Sequence, residues 1–263
     1  MKRITSRRNP IVTRYRKAAA GGADEIVLDG AHLIEDAARA GVPLHTIAWS
    51  PPGLQLPGVA TLLRRFETAG LECWSVTDEV MRAMSPVQSP SGVVALAARP
   101  VVVLERALER RPQLVLVAVD VQDPGNVGAM VRAAEAGGAT ATLLAGTSAD
   151  PFGWKALRGS MGSSFRLPVA RAGREEALRA LRAVHIRVVA TTPRAGRSLF
   201  DADLRGPVAF LVGGEGPGLP DDVIAGADET VRIPMREPVE SLNVAVASAL
   251  VIYEAARQRD RAT

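Results

Sequence analysis

The 263-residue sequence predicts an α/β protein built of two units, and three observations carry that expectation. Between Glu25 and Ala98, short β-branched and apolar runs alternate with helix-patterned segments. A charged segment flanked by prolines, residues 99–112, then interrupts the pattern. Beyond it the alternation resumes with the continuous apolar run Leu114–Val119. The expected organisation is a first domain over 1–98, a linker over 99–112 and a second domain over 113–263. With 47% apolar residues the chain has ample material for packed cores.

In the first block Ile26–Leu28 reads as a strand, 31–40 as a helix, Thr46–Ala48 as a strand, 60–69 as a helix and Cys73–Val76 as a strand. Ser89–Gly92 is a turn cluster, after which Val93–Ala97 closes the unit as a strand. In the second block Leu114–Asp120 reads as a fully buried strand and Val121–Gly128 as the turn after it. The next helix takes Asn126 as its N-cap, carries Arg132 in its second turn and ends at Gly137-Gly138. Phe210–Val212 is a buried strand that empties into Gly213-Gly-Glu-Gly-Pro-Gly218. Four glycines in six residues let backbone N–H groups approach a ligand closely, with the Glu215 carboxylate among them. Ser241-Leu-Asn243 opens a last helix whose first ten residues are apolar nearly all round, which calls for burial by the core and by a second subunit.

Charge and composition narrow the function. The net charge is only +4, yet residues 1–17 hold Lys2, Arg3, Arg7, Arg8, Arg14, Arg16 and Lys17 with no acid, a basic arm suited to RNA. Aromatics make up 4% of the chain, so stacking of many single-stranded bases is not expected to dominate. A single cysteine, Cys73, excludes an internal disulfide and a cysteine-rich zinc site, and the scattered His32, His45 and His185 point to no metal. No apolar run reaches the ~20 residues of a membrane span and no signal-peptide pattern opens the chain, so a cytoplasmic protein is expected. The glycine loop comes late and is followed by Pro217 and Pro220, which argues against a dinucleotide-binding fingerprint; no Gly-Lys-Ser/Thr occurs, which excludes a P-loop.

Taken in order, Asp123-Pro-Gly-Asn126 with Arg132, Gly213-Gly-Glu-Gly216, and Ile233-Pro-Met235 with Ser241-Leu-Asn243 resemble the SpoU (TrmH-like) branch of the SPOUT RNA methyltransferases. More loosely, Ile4-Thr-Ser6, Asn9-Pro10, Leu28-Asp-Gly30 and 88–92 resemble the substrate-binding domain that precedes the catalytic one in that family. The resemblance implies a small L30e-like α/β first domain that binds RNA, and a SPOUT α/β second domain with a deep trefoil knot. It also implies a homodimer and S-adenosylmethionine as cofactor, with Gly213, Gly214, Gly216, Ile233, Met235 and Leu242 around it. Asn126, Arg132, Glu215, Ser241 and Asn243 would form the catalytic group, and 2′-O-ribose methylation of structured RNA would be the activity. The target implied is 23S ribosomal RNA, with tRNA, or a non-catalytic RNA-binding assembly factor on the same fold, as alternatives.

The basic arm gives Arg3, Arg7 and Arg8 as RNA contacts, and the similarity of Lys155–Ser160 to a further family stretch adds Arg158 and Ser160. A guanidinium with a pKa above ~12 does not readily give up a proton. Arg132 is therefore expected to bind a phosphate and stabilise the developing 2′-oxyanion, not to act as base. Glu215 needs donors, and Arg132 or the Asn243 amide are the expected ones. Where many members carry Asn after the first glycine of the loop, this chain has Gly214.

Overall fold

The basic N-terminal segment, expected as an arm, is folded. Lys2–Ile4 forms strand β1 and Pro10–Ala19 helix α1. Asn9 caps α1 by accepting from the Ile11 N–H, and Pro10 occupies the first turn, where its missing N–H costs nothing. Ile11, Val12, Tyr15 and Ala18 recur at helical spacing and are buried. The polar spacing of the cations had hidden this apolar face. The computed structural model describes residues 2–21, 24–111 and 113–260. Pro112, the last residue of the expected linker, lies outside them.

The chain divides into two units, Met1–Pro100 with Phe152–Arg158, and Val101–Pro151 with Gly159–Thr263. The first continues with β2 (Glu25–Asp29), α2 (Ala31–Arg39), β3 (Leu44–Trp49), α3 (Pro51–Leu54), α4 (Val59–Thr68), β4 (Glu72–Val76), α5 (Asp78–Met84) and β5 (Val93–Ala98). Its sheet has the order β1-β4-β3-β5-β2, with β5 antiparallel to both neighbours and the other pairs parallel. Ile4, Val12, Tyr15, Val27, Val76, Met81 and Leu96 share its core. Cys73 is in this unit, and burial pushes its thiol up to about 11, which keeps it unreactive.

The expected linker is no linker. The Arg99 N–H still bonds the Asp24 carbonyl of the first unit, at 2.9 Å. Leu104–Ala107 forms a short helix, α6, and Leu104, Ala107 and Leu108 enter the core of the second unit. Charged Glu105, Arg106 and Glu109 face outward, which is why the segment reads as polar. The Phe152–Arg158 segment was expected in the second domain and belongs to the first unit.

The second unit holds β6 (Leu114–Val119), α7 (Pro124–Ala136), β7 (Ala141–Ala145), α8 (Trp154–Ser160, most of which belongs to the first unit), α9 (Ser163–Arg166), β8 (Val169–Ala172) and α10 (Arg174–Ala183). Then come β9 (Arg187–Thr192), β10 (Arg197–Ser198), a single 3₁₀ turn at Leu199–Asp201, β11 (Val208–Gly213), α11 (Asp221–Ala225), β12 (Glu229–Arg232) and α12 (Val244–Asp260). Its sheet is parallel throughout, in the order β10-β12-β9-β11-β6-β7-β8. A parallel sheet is covered on both faces, and accordingly every residue of β6 and β7 is buried. From β6 the chain runs outward through β7 and β8, and later returns to place β11 on the other side of β6. The β6–β11 pair is thus a switch point, whose carboxyl ends are where open α/β sheets bind ligands.

Candidate functional site

Register brings the two key loops together. Val119 of β6 lies opposite Gly213 of β11, so the next residues, Asp120 and Gly214, leave the sheet side by side. A Cβ on Gly214 would sit 2.3 Å from the Asp120 carbonyl oxygen, so only glycine lets these backbones touch. A Cβ on Gly213 would sit 2.2 Å from the Gly218 carbonyl carbon, and Gly214 pairs with Gly218 in an isolated antiparallel bridge. The loop is therefore closed on itself and backed against the end of β6.

Asp123, not Asn126, is the N-cap of α7: its carboxylate accepts from the Asn126 N–H at 2.8 Å, and Pro124 follows in the first turn. Three residues into the helix, the Asn126 side chain is released from capping. Its amide donates to Glu215 Oε1, and its Oδ1 accepts from Asn243 Nδ2 at 3.1 Å. Asn243 in turn caps α12, its Oδ1 taking the N–H groups of Ala245 (2.9 Å) and Val246 (3.3 Å). A chain of three side chains thus links the start of α7, the glycine loop and the start of α12. The donor to Glu215 is Asn126, in place of the expected Arg132 or Asn243.

Beside this trio is a cleft of about 540 Å³, within the range of small-molecule sites. All six expected cofactor residues, Gly213, Gly214, Gly216, Ile233, Met235 and Leu242, line it, as do Glu215, Ser241 and Asn243. Sequence reasoning missed Thr191, Thr192, Pro193 and Asp221 on its wall. The first three follow from sheet order, since β9 neighbours β11, and no local motif marks them. Among the described lining residues there are two carboxylates and no lysine or arginine. Such a wall suits a cationic ligand and disfavours a polyphosphate. Backbone groups along the loop and the apolar Ile233, Met235 and Leu242 fit the polar edge and flat face of a nucleoside.

The other expected site residues are elsewhere. Arg132 is exposed on α7, about 9 Å along the helix axis from Asn126, and is not among the residues lining the cleft. Arg3, Arg7, Arg8 and Arg158 are exposed, whereas Ser160 is fully buried and therefore cannot contact RNA in this conformation. Its neighbour Gly159 explains the burial: a Cβ there would lie 3.0 Å from the Gly125 carbonyl oxygen and 3.3 Å from Gly128 Cα, so the chain crosses α7 closely. No three His, Cys, Asp or Glu side chains gather as a metal site among the described residues.

A parallel sheet with a cation-free cleft at its switch point defines an α/β protein that binds a small molecule against backbone and carboxylates. The profile of the SpoU rRNA Methylase family matches residues 113–253, more than half of the chain, and the chain belongs to that family. It is 29% identical over 264 residues to the 23S rRNA (guanosine(2553)-2′-O)-methyltransferase RlmP of Bacillus subtilis, covering 96% of this chain and 98% of that one. To the 23S rRNA (uridine(2479)-2′-O)-methyltransferase of Streptomyces viridochromogenes it is 32% identical, over 94% of this chain and 86% of the relative. The crystal structure of an AdoMet-bound rRNA methyltransferase from Sinorhizobium meliloti superposes with a TM-score of 0.87, at 30% identity and 97% coverage of each chain.

Proposed function

We propose that this protein is an S-adenosylmethionine-dependent methyltransferase acting on a ribose 2′-oxygen of 23S ribosomal RNA, in the cytoplasm. The observation that carries the proposal is the pairing of a cleft free of cationic side chains with the Asn126–Glu215–Asn243 chain at its edge. Whole-length similarity to two 23S rRNA 2′-O-methyltransferases supports the RNA substrate. Bound in the cleft, S-adenosylmethionine would supply a methyl group on a positively charged sulfur.

The residues then divide the work. The glycine loop and the Ile233, Met235 and Leu242 surfaces hold the cofactor and exclude water. Asn126 fixes Glu215, and Asn243 fixes Asn126, so none of the three has to reorganise when substrate arrives. Ser241, exposed on the cleft rim without a hydrogen-bond partner among the described residues, is free to meet the ribose. Arg132, equally without a described partner, is free to bind a phosphate beside the target ribose and stabilise charge on the 2′-oxygen, whose proton passes to water as the methyl arrives. A deep trefoil knot in the C-terminal part of the second domain is part of the same proposal.

Two further elements complete it. Val246, Leu250 and Tyr253 on α12 are 49%, 38% and 52% exposed, one apolar stripe at helical spacing. A second copy of the chain would cover it in a homodimer. The first unit would recognise the RNA through Arg3, Arg8 and Arg158, with Arg7 joining once it leaves its exposed pairing with Glu79. The test is transfer of labelled methyl to protein-free 23S rRNA, followed by mapping of ribose methylation in cells with and without the protein. One alkali-resistant position in 23S rRNA, lost in the deletion strain, is the expected result. Modification of tRNA alone would overturn the target, and tighter binding of NAD than of S-adenosylhomocysteine would overturn the cofactor.

A further inference from the structure

Asp120, the first residue beyond β6, adopts a left-handed backbone at φ 56°, a conformation that costs a residue other than glycine about 1 kcal/mol. It is held there by its own side chain. Thr147 donates its N–H (2.8 Å) and its hydroxyl (2.9 Å) to Oδ1, and Arg174 Nη2 pairs with Oδ2 at 2.6 Å. Burial opposes ionisation of this carboxyl, yet the Thr147 donors and Arg174 outweigh it and keep it below its ordinary value. Gly146, itself at φ 65°, makes the approach possible, because a Cβ there would lie 2.3 Å from Asp120 Oδ1.

Both halves of the polar chain start from this residue. On one side the Asp120 carbonyl is the surface against which Gly214 rests, one residue before Glu215. On the other, the left-handed turn aims the chain through Val121, which Ser148 Oγ (3.1 Å) and the Ala149 N–H (2.8 Å) clamp, toward Asp123 and Asn126. Asp120 is itself absent from the cleft wall.

We infer that Asp120, tied by Thr147 and Arg174, is a positioning residue that sets the separation of Asn126 from Glu215 and so the shape of the cleft wall. The inference rests on the methyltransferase reading of this site. It is tested with Asp120→Asn, Asp120→Gly, Asp120→Ala and Arg174→Gln, beside Leu181→Val, a core variant in α10 that lowers stability without touching the turn. Amide exchange at Glu215 and Gly216, S-adenosylhomocysteine affinity and methyl transfer are measured for each.

Asp120→Gly keeps the backbone conformation and loses the ties, so exchange at Glu215 and Gly216 should quicken and affinity fall ~10-fold, the scale of lost charge-assisted bonds. Asp120→Ala, which also disfavours the left-handed region, should fall further. Asp120→Asn, tolerant of that region and still an acceptor for Thr147, should retain most of the wild-type behaviour. Arg174→Gln should cost ~3-fold. Asp120→Gly indistinguishable from wild type would overturn the inference. So would Leu181→Val moving the loop as much as Asp120→Gly at equal Tm, since stability alone would then explain it. A wild-type protein without methyl transfer would strike the assigned reaction, while the exchange ranking would still decide the role of Asp120.

Discussion

The cleft of the second unit and the basic N-terminal segment of the first were both expected to hold ligands, and they are built in opposite ways. The cleft wall is mostly backbone and apolar surface, with its polar side chains tied to one another. In the N-terminal segment, most of the cations counted in the sequence are engaged within the fold. Arg14 grips Glu25 through two bonds of 2.8 and 2.6 Å, and Arg16 donates to the Ala83 carbonyl at 3.1 Å. Lys2 and Arg7 face Glu72 and Glu79 at 3.1 and 3.7 Å. Only Arg3, Arg8 and Lys17 are exposed without a described partner. A preorganised wall reports on binding geometry, whereas a charge run must be read after subtracting the pairs that folding makes.

The largest expected effect falls on a residue in neither region. Arg132→Ala should lower methyl transfer by ~10²-fold or more, the scale of one lost stabilising donor in a preorganised site. S-adenosylhomocysteine affinity should stay within a few-fold of wild type, because Arg132 does not line the cleft. Arg132→Lys should recover little, since a point charge does not reproduce a planar fork. Single-turnover assays with calorimetry check this, and a fully active Arg132→Ala protein would remove Arg132 from the mechanism.

Next in size is the glycine wall itself. Gly214→Ala places a methyl 2.3 Å from a backbone oxygen that cannot swing away, so the loop must shift. Cofactor affinity should drop by ~10-fold or more while the sheet stays folded, a clash between two backbones costing more than a typical overpacked side chain. Gly216→Ala meets nothing within 4 Å, yet carries φ +93°. It should cost about 1 kcal/mol of stability through strain alone and leave affinity nearly unchanged. Equal losses in affinity for the two variants would show that the Gly214→Ala effect does not come from its contact with the Asp120 carbonyl.

Much of this was legible in the sequence because it is carried by local signals. The apolar runs of β6 and β11, the four-glycine loop and the Ser241–Asn243 start of α12 all lie where the pattern places them. What escaped is set by long-range geometry. Asp123 and Asn126 are both good caps, and only the fold shows that Asn126 is released to hold Glu215 across 89 positions of sequence. Thr191–Pro193 join the cleft through sheet order, and Ser160 is withdrawn by a glycine-mediated helix crossing. The buried face of α1 was masked because arginines at 14 and 16 flank Tyr15, so charge hid periodicity.

The smallest effects separate free from engaged cations in the first unit. Arg3→Ala and Arg8→Ala should each weaken RNA binding a few-fold and reduce the salt slope by ~1, as expected for a phosphate contact. Arg14→Ala should leave that slope unchanged and act on stability instead. Glu25 titrates below the usual carboxylate range, chiefly because Arg14 bonds it; burial opposes the shift, and His45 adds to it. A carboxyl with a depressed folded-state pKa stabilises the fold above its unfolded pKa, near 4.3, and loses that contribution as pH falls through the folded value. The Tm difference between wild type and Arg14→Ala should therefore be largest near neutral pH and shrink on acidification below about 4. A salt slope that falls in Arg14→Ala as much as in Arg3→Ala would show that Arg14 leaves Glu25 for the RNA, erasing the contrast between the two sets of cations.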